Sequence, residues 1–123
     1  MVTGGRSYTN RQYVFETLDT IHLDYGITLL IHGACGWDAD DPRTTEKPLR
    51  GADGLADEWA LERRVEVERV PAHWSTLRAA AGPARNRVLI ARKPNLVVAF
   101  PGGAGTRNAL GLARRAKLRV WEA

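Results

Sequence analysis

The stretch LVVAFPGGAGTRNAL, residues 96–110, joins an apolar run to a helical pattern through three glycines and a threonine. The run from Leu96 to Phe100 has the composition of a strand that is buried on both faces. Pro101 ends this run, and residues 106–117 follow with the spacing of a helix. Glycines at such a junction leave backbone N–H groups bare and let the chain approach a ligand closely. Bare N–H groups beside the positive end of a helix dipole favour the binding of a phosphate.

The same alternation of strand and helix runs through the rest of the chain. The patterns predict strands at residues 1–3, 27–31, 65–70, 96–100 and 118–121, and helices at 9–24, 53–63, 84–92 and 106–117. In the first of these helices, Thr9 and Gln12 have the spacing of a capping box. Short links between alternating elements favour parallel strands with right-handed crossovers. We therefore predict a three-layer, Rossmann-like α/β domain, with a mostly parallel five-stranded sheet flanked by helices.

Composition limits the classes of protein that fit. The 123 residues suit a single domain spanning 1–123, and 44% hydrophobic residues are enough for one core. No apolar run approaches the length of a membrane span, and no basic-then-apolar leader opens the sequence. One cysteine excludes an internal disulfide and favours the cytoplasm. The net charge of +4 suits an anionic ligand only weakly, because basic and acidic residues are mixed.

Glycine placement is the strongest signal for function. Because the carboxyl ends of parallel strands meet at one edge of a sheet, the loops that leave the first, second and fourth strands share that edge. Turn glycines without a function would be spread over both edges. Nine of the 12 glycines fall in those three loops: Gly4, Gly5, Gly33, Gly36, Gly51, Gly54, Gly102, Gly103 and Gly105. Ligands of open α/β sheets bind at this edge, so we expect a binding site there.

The glycine motif differs from the two familiar phosphate loops. No Gly-Lys-Ser or Gly-Lys-Thr is present, which excludes a P-loop nucleotidase. Residues 102–105 lack the spacing of the dinucleotide fingerprint, and they follow the fourth strand rather than the first.

Five motifs follow one another along the chain: Thr3-Gly4-Gly5-Arg6, His32-Gly33-Ala34, Gly51-Ala52-Asp53, Arg85-Asn86 and Pro101-Gly102-Gly103 with Gly105-Thr106. In this order they resemble the SLOG superfamily, and within it the small YspA-like branch. They span almost the whole chain. The resemblance implies a Rossmann-like fold and a nucleotide or nucleotide-derived ligand. The superfamily includes the Lonely Guy phosphoribohydrolases, predicted sensors of ligands such as ADP-ribose, and DNA-processing relatives.

The resemblance also implies a set of ligand-binding residues. Arg85 matches an arginine of the Lonely Guy enzymes, whereas Asn86 stands where those enzymes have lysine. Their catalytic acidic residues follow the threonine, but residues 107–109 of this chain are Arg-Asn-Ala. We therefore expect the binding half of the site without its hydrolytic half, unless Asp53 substitutes, and we leave open whether the protein is an enzyme. The implied ligand-binding residues are Gly4, Gly5, Arg6, Gly33, Asp53, Arg85, Asn86, Gly102, Gly103, Gly105 and Thr106.

Several residues have two interpretations. Asp53 either accepts a ribose hydroxyl or caps its own helix. Thr106 either caps the last helix or binds an anion. Trp37 and Trp74 either stack on a base or pack in the core or an interface. The spacing of His32, Cys35 and His73 fits no known metal motif, so we expect neither a metal nor a cofactor.

Residues 35–50 form an insertion between two glycine motifs. The segment is polar and holds too few apolar side chains to order itself alone. We expect it to cover the site as a lid or to pack on a second copy of the chain through Trp37. Because the first strand is short, we favour a homodimer. Our hypothesis is a sensor-like nucleotide-binding protein; the alternatives are a divergent phosphoribohydrolase and a nucleic-acid binding module.

Overall fold

A computed structural model describes all residues, 1–123, and shows a mixed α/β protein. The predicted alternation of strands and helices is confirmed, with boundaries shifted by a few residues. Two short 3-10 helices, Pro42–Glu46 and Arg78–Ala80, lie in the connections. None of the helices combines the length and the apolar content that a membrane span requires. The strands are β1 (Val2–Thr3), β2 (Leu29–His32), β3 (Glu66–Arg69), β4 (Val97–Ala99) and β5 (Val120–Glu122), and the helices are α1 (Arg11–Tyr25), α2 (Gly51–Glu62), α3 (Trp74–Leu77), α4 (Ala81–Ala91) and α5 (Ala104–Arg115).

The strands pair in parallel, but they form two sheets. One sheet has the order β1-β4-β5 and the other pairs β2 with β3. The prediction of a single five-stranded sheet is therefore wrong. β1 touches β2, yet it has only two residues. Its ladder bonds go to the β4 side, where the amides of Val98 and Phe100 donate to the carbonyls of Met1 and Thr3 at 2.8 and 2.9 Å.

Helices cover both faces of the strands. Because successive side chains of a strand point to opposite faces, Val2, Leu30 and Val98 enter one core while Met1, Ile31 and Val97 enter the other. The first core is completed by α1 and α2, and the second by α4 and α5. Because the strands of each sheet run parallel, their carboxyl ends lie together, and the loops that follow β1, β2 and β4 meet at one edge.

The start of α1 differs from the predicted capping box. The helix begins at Arg11, and Asn10 is its N-cap, with the side-chain oxygen accepting from the amide of Tyr13 at 3.1 Å. Gln12 bonds instead to Glu16, one turn along the helix. Asparagine ranks above threonine at this position, and the helix therefore starts two residues later than predicted.

The insertion of residues 35–50 is ordered by contacts with its own chain. Asp38 accepts from the amide of Trp74 at 3.1 Å, and Asp40 accepts from the amide of Thr76 at 2.9 Å. Trp37 donates from its indole nitrogen to the carbonyl of Lys47 at 2.8 Å. The segment does not order itself alone, because its carboxylates pair with the bare amides at the start of α3. The homodimer stays a prediction.

Candidate functional site

A cavity of about 350 Å³ opens at the carboxyl ends of β1, β2 and β4. Three loops meet there because the loop after β1 is fastened on both sides. The amide of Gly5 donates to the carbonyl of Pro101 at 2.9 Å, and the carbonyl of Gly5 accepts from the amide of Ala52 at 3.1 Å. Ten of the eleven predicted ligand-binding residues line the cavity: Gly4, Gly5, Arg6, Gly33, Asp53, Arg85, Asn86, Gly103, Gly105 and Thr106.

Gly102, the eleventh predicted residue, has a packing role. A Cβ on Gly102 would collide with the side chain of Thr106 and would stand 2.7 Å from the amide nitrogen of Gly5. The residue must be glycine so that the loops after β1 and β4 can touch. It does not line the cavity.

The first turn of α5 presents free donors to the cavity. Gly103 is the N-cap of α5 and supplies no side-chain cap, so the first amides of the helix have no side-chain partner. A Cβ on Gly103 or Gly105 would meet no atom within 4 Å. The hydroxyl of Thr106 does not cap the helix, and this residue lines the cavity. Bare amides, an open approach and a helix dipole make this turn suitable for an anion.

Arg85 projects from α4 as a half-buried cation without a carboxylate partner. Its Nη1 donates to the carbonyl of Gly33, and its Nε donates to Asn86 at 3.0 Å. No carboxylate lies within 4.0 Å of the guanidinium, and Nη2 has no acceptor in the protein. Burial lowers the pKa of Arg85, and the charge of Asp53 opposes this effect. A desolvated guanidinium with a free donor edge is the group that binds phosphate and carboxylate best.

Asn86 holds Arg85 and α5 together. The side chain is buried, and its Nδ2 donates to the carbonyl of Gly105 at 3.2 Å and to Asn108 at 3.0 Å. Its oxygen accepts from Arg85. Since these groups are engaged within the protein, Asn86 positions the cation and the glycine turn relative to each other.

Asp53 is the only carboxylate that lines the cavity. It lies in the first turn of α2 but does not cap that helix, whose N-cap is Arg50. Its Oδ2 accepts from the amide of Cys35 at 3.1 Å, so the capping interpretation is wrong and the side chain fixes the loop after β2. Burial raises the pKa of Asp53, against the opposing effects of His32 and Arg85.

His32 lies beneath the same loop in a buried polar network. Its Nδ1 accepts from the amide of Ala34 at 3.0 Å, which leaves Nε2 as the nitrogen that donates to Asp57 at 2.8 Å. Arg69 donates twice to Asp57, at 2.8 and 3.1 Å. Burial raises the pKa of Asp57, but the hydrogen bonds from His32 and Arg69 outweigh it and hold the pKa below its usual value. The network supports the cavity wall and does not reach the cavity.

The two tryptophans considered for base stacking lie outside the cavity lining. Trp74 packs under Arg6, whose guanidinium carbon is 5.4 Å from the ring centroid. Trp37 packs under Arg69 at 5.9 Å and belongs to the 35–50 segment. Trp74 therefore acts on the site through Arg6, which lines it.

A larger groove of about 980 Å³ lies at the opposite edge of the strands. Hydrophobic residues make up 13 of the 22 that line it, among them Leu18, Ile21 and Leu96. Arg92 and Glu68 in this groove pair with each other at 2.7 Å, and Lys93 and Arg119 line it without a carboxylate partner. A specific site needs polar groups that converge, as the α5 amides and Arg85 do in the smaller cavity, so that cavity is the better candidate despite its size.

Comparison with known proteins places the chain in a family. The Gene 61 protein of Mycobacterium phage D29 is 30% identical over 129 residues, which cover 98% of this chain and 91% of the phage protein. The chain belongs to the family of that protein. No protein-family model matches the chain, and no solved structure matches it. The name of the phage relative states no activity.

Sequence analysis missed five residues that line the cavity, Val2, Thr3, Cys35, Leu89 and Ala104, and two that support it. Asp57 holds His32, and Arg69 holds Asp57. Cys35 and Ala104 lie beside predicted glycines, and that proximity was a usable signal. Asp57 and Arg69 lie 12 positions apart on different elements, and no local pattern indicates that they meet.

Proposed function

We propose that the cavity binds the phosphate group of a nucleotide or a nucleotide-derived ligand, and that the protein acts as a binding or sensing module. The first-turn amides of α5 and the hydroxyl of Thr106 hold the phosphate. Arg85 and Arg6 supply positive charge from the other sides. The resemblance to the SLOG superfamily and the parallel strands with helices on both faces support the same class of ligand.

The observation that carries this proposal is Arg85. Burying a charge without a partner is unfavourable, so a half-buried guanidinium usually has a carboxylate beside it. Arg85 has none within 4.0 Å and instead donates to a carbonyl and an amide oxygen. Burial lowers the pKa of Arg85, the charge of Asp53 offsets this only in part, and Arg6, a second cation, adds to the lowering. An anion in the cavity relieves both costs at once.

The dimensions of the cavity favour a small ligand. Ligand pockets usually enclose about 300–1,000 Å³, and this cavity lies at the lower end of that range. A nucleoside monophosphate suits that volume. A dinucleotide or ADP-ribose places only one end in the cavity and extends along the exposed loops after β1 and β4.

The alternative function, hydrolysis of the N-glycosidic bond of a nucleoside monophosphate, rests on Asp53. This carboxylate lines the cavity, and its raised pKa suits proton transfer. In place of the acidic residues of the Lonely Guy enzymes, Asn108 is held by Asn86 at 3.0 Å. An amide cannot stabilise the positive charge that develops on a ribose, so binding is the stronger proposal.

A thermal-shift and calorimetric series tests the proposal with inorganic phosphate, AMP, ADP-ribose and NAD. Ligands that bind only the folded state raise the melting temperature. We expect Arg85→Gln to weaken binding at least about tenfold, equivalent to about 1.4 kcal/mol. Arg87→Gln is the matched control, because Arg87 lies two residues along the same helix, is exposed and does not line the cavity. We expect it to bind like the unmodified protein.

The outcome that contradicts the proposal is equal binding by both variants, or no binding of any of the four ligands. Melting temperatures without ligand show whether Arg85→Gln has unfolded. Release of free base from AMP, measured by chromatography and abolished by Asp53→Asn, supports the hydrolytic alternative.

A further inference from the structure

The charges of this chain are divided unevenly along the sequence. From Val70 to Trp121 there are ten lysine and arginine residues and no aspartate or glutamate. Residues 1–69 hold the other eight basic residues together with 13 of the 14 acidic ones. Summed over the whole chain, these opposite halves leave a net charge of only +4, which conceals the asymmetry.

The fold gathers the basic half into one layer. α4 and α5 pack against each other on the same side of the strands. Arg92 and Arg114 pair with Glu68 and Glu122. The other basic residues of this layer, apart from Arg85 in the cavity, are exposed and have no carboxylate within 4.0 Å. We call these seven residues the basic face: Arg78, Arg87, Lys93, Arg107, Arg115, Lys117 and Arg119.

The layer on the other side of the strands has a different character. There Arg11 pairs with Glu58 at 3.0 Å, and Arg63 pairs with Asp19 at 2.8 Å. Basic and acidic side chains neutralise each other across α1 and α2. Unpaired basic side chains are therefore concentrated in the α4–α5 layer, although a few, such as Lys47 and Arg64, lie outside it.

The basic face lacks the groups that a membrane or a single strand requires. The large apolar side chains of α4 and α5 are mostly turned inward, and among them only Val88 is counted as exposed, at 46%. Binding in a membrane interface needs an apolar face to insert. No aromatic residue occurs in α4 or α5, so no platform exists on which unpaired bases stack.

We propose that the basic face binds the phosphate backbone of a nucleic-acid duplex without reading its sequence. Arginine, which supplies five of the seven residues, presents a planar fork that matches phosphate oxygens. The 12 residues of α5 span about 18 Å, which corresponds to about five phosphates along one strand of a duplex. None of the seven residues lines the cavity, so this activity is separate from nucleotide binding.

Fluorescence anisotropy with a labelled DNA duplex of arbitrary sequence tests the proposal. We expect a dissociation constant of about 1–100 μM at physiological salt, with an affinity that falls steeply as salt is added. The double variant Arg87→Glu/Arg115→Glu should bind at least about tenfold more weakly, and its salt dependence should be shallower by about two phosphate contacts.

A charge-matched control separates the face from net charge. Lys47→Glu/Arg64→Glu changes two exposed, unpaired residues outside the basic face and alters the net charge by the same amount. We expect this variant to bind the duplex nearly as well as the unmodified protein. Equal losses in the two double variants would overturn the proposal, as would the absence of duplex binding at low salt.

Two further probes distinguish competing polyanions. Vesicles of phosphatidylcholine with about one fifth phosphatidylserine test a membrane surface, and a single strand of the same sequence tests stacking. We expect weaker binding to both than to the duplex. Tighter binding to either one assigns the face to that partner and overturns the duplex proposal.

Discussion

On the α2 side of the cavity glycines are packed against other atoms, whereas on the α5 side Gly103 and Gly105 face open space and only Gly102 is packed. A Cβ on Gly4 would stand 2.5 Å from the side chain of Ala52, and a Cβ on Gly51 would stand 2.6 Å from the Cα of Arg6. Gly103 and Gly105 have no atom within 4 Å of the same position. The sequence motifs on the two sides are similarly rich in glycine, yet the packed glycines allow close contact between loops, whereas the open glycines allow access to the cavity.

The polar groups on the two sides differ in the same way. On the α2 side, Asp53 accepts from the amide of Cys35, and His32 and Asp57 satisfy each other. On the α5 side, the first helical amides have no side-chain cap. These polar groups on the α2 side are thus satisfied within the protein. On the α5 side the first helical amides remain available to a ligand. Substitutions on the α2 side should affect stability first, and those on the α5 side should affect the ligand first.

The largest expected effect is that of Gly51→Ala. Gly51 has a φ of +61°, and a methyl group there meets the backbone of Gly5 and Arg6. The left-handed conformation costs about 1–2 kcal/mol and the overlap about 1–3 kcal/mol more. Differential scanning calorimetry should show a melting temperature lower by about 10 °C or more. Gly26→Ala is the control, because its φ is +70° but no atom lies within 4 Å; it should lose only the conformational part.

The second prediction concerns Asp57→Asn, which disrupts the hydrogen bonds of Asp57 with His32 and Arg69. The amide cannot replace the carboxylate between His32 and Arg69, so we expect a loss of about 2 kcal/mol at neutral pH. The pKa of Asp57 is lowered below 3.8 in the folded protein. Its contribution is therefore complete above that pH and is lost as the pH falls through the folded value. The difference between variant and parent in urea unfolding should shrink toward pH 3.

Asp24→Asn serves as the control for that series, since Asp24 is exposed and forms no ion pair. It should leave stability within about 0.5 kcal/mol of the parent. A pH-independent deficit for Asp57→Asn would contradict the assignment of an ionised carboxylate.

The smallest effect on stability is expected for Gly105→Ala. In a helix, alanine is favoured over glycine by up to about 1 kcal/mol, and the new methyl group meets no atom. The melting temperature should stay equal or rise slightly, while binding of AMP or phosphate weakens because the methyl stands at the cavity. Gly111→Ala, in the same helix but away from the cavity, should gain similar stability and leave binding unchanged. A loss of stability for Gly105→Ala would remove the distinction between the two sides.

The sequence by itself determined the class of fold and the edge that carries the site. Apolar runs of strand length alternate with helical patterns because both faces of a buried sheet must be covered by helices. Glycines after the first, second and fourth strands then indicated the loops that meet. Parallel strands bring those loops to one edge whatever their detailed pairing, which is why ten of the eleven predicted residues line one cavity.

Tertiary structure alone decided which of those residues remain free. Whether a glycine is packed or open depends on the loop opposite to it, as Gly102 against Gly5 shows. The partner of Asp53 is an amide 18 residues away in another loop, so its helix-capping interpretation could not be tested locally. The division into two sheets follows from the two residues of β1, whose ladder bonds go to β4.

The excess of basic residues from Val70 onward can be read from the sequence, but only the packing of α4 against α5 brings these residues into one layer. Local patterns report periodicity and composition, whereas the availability of a donor or a charge depends on distant neighbours.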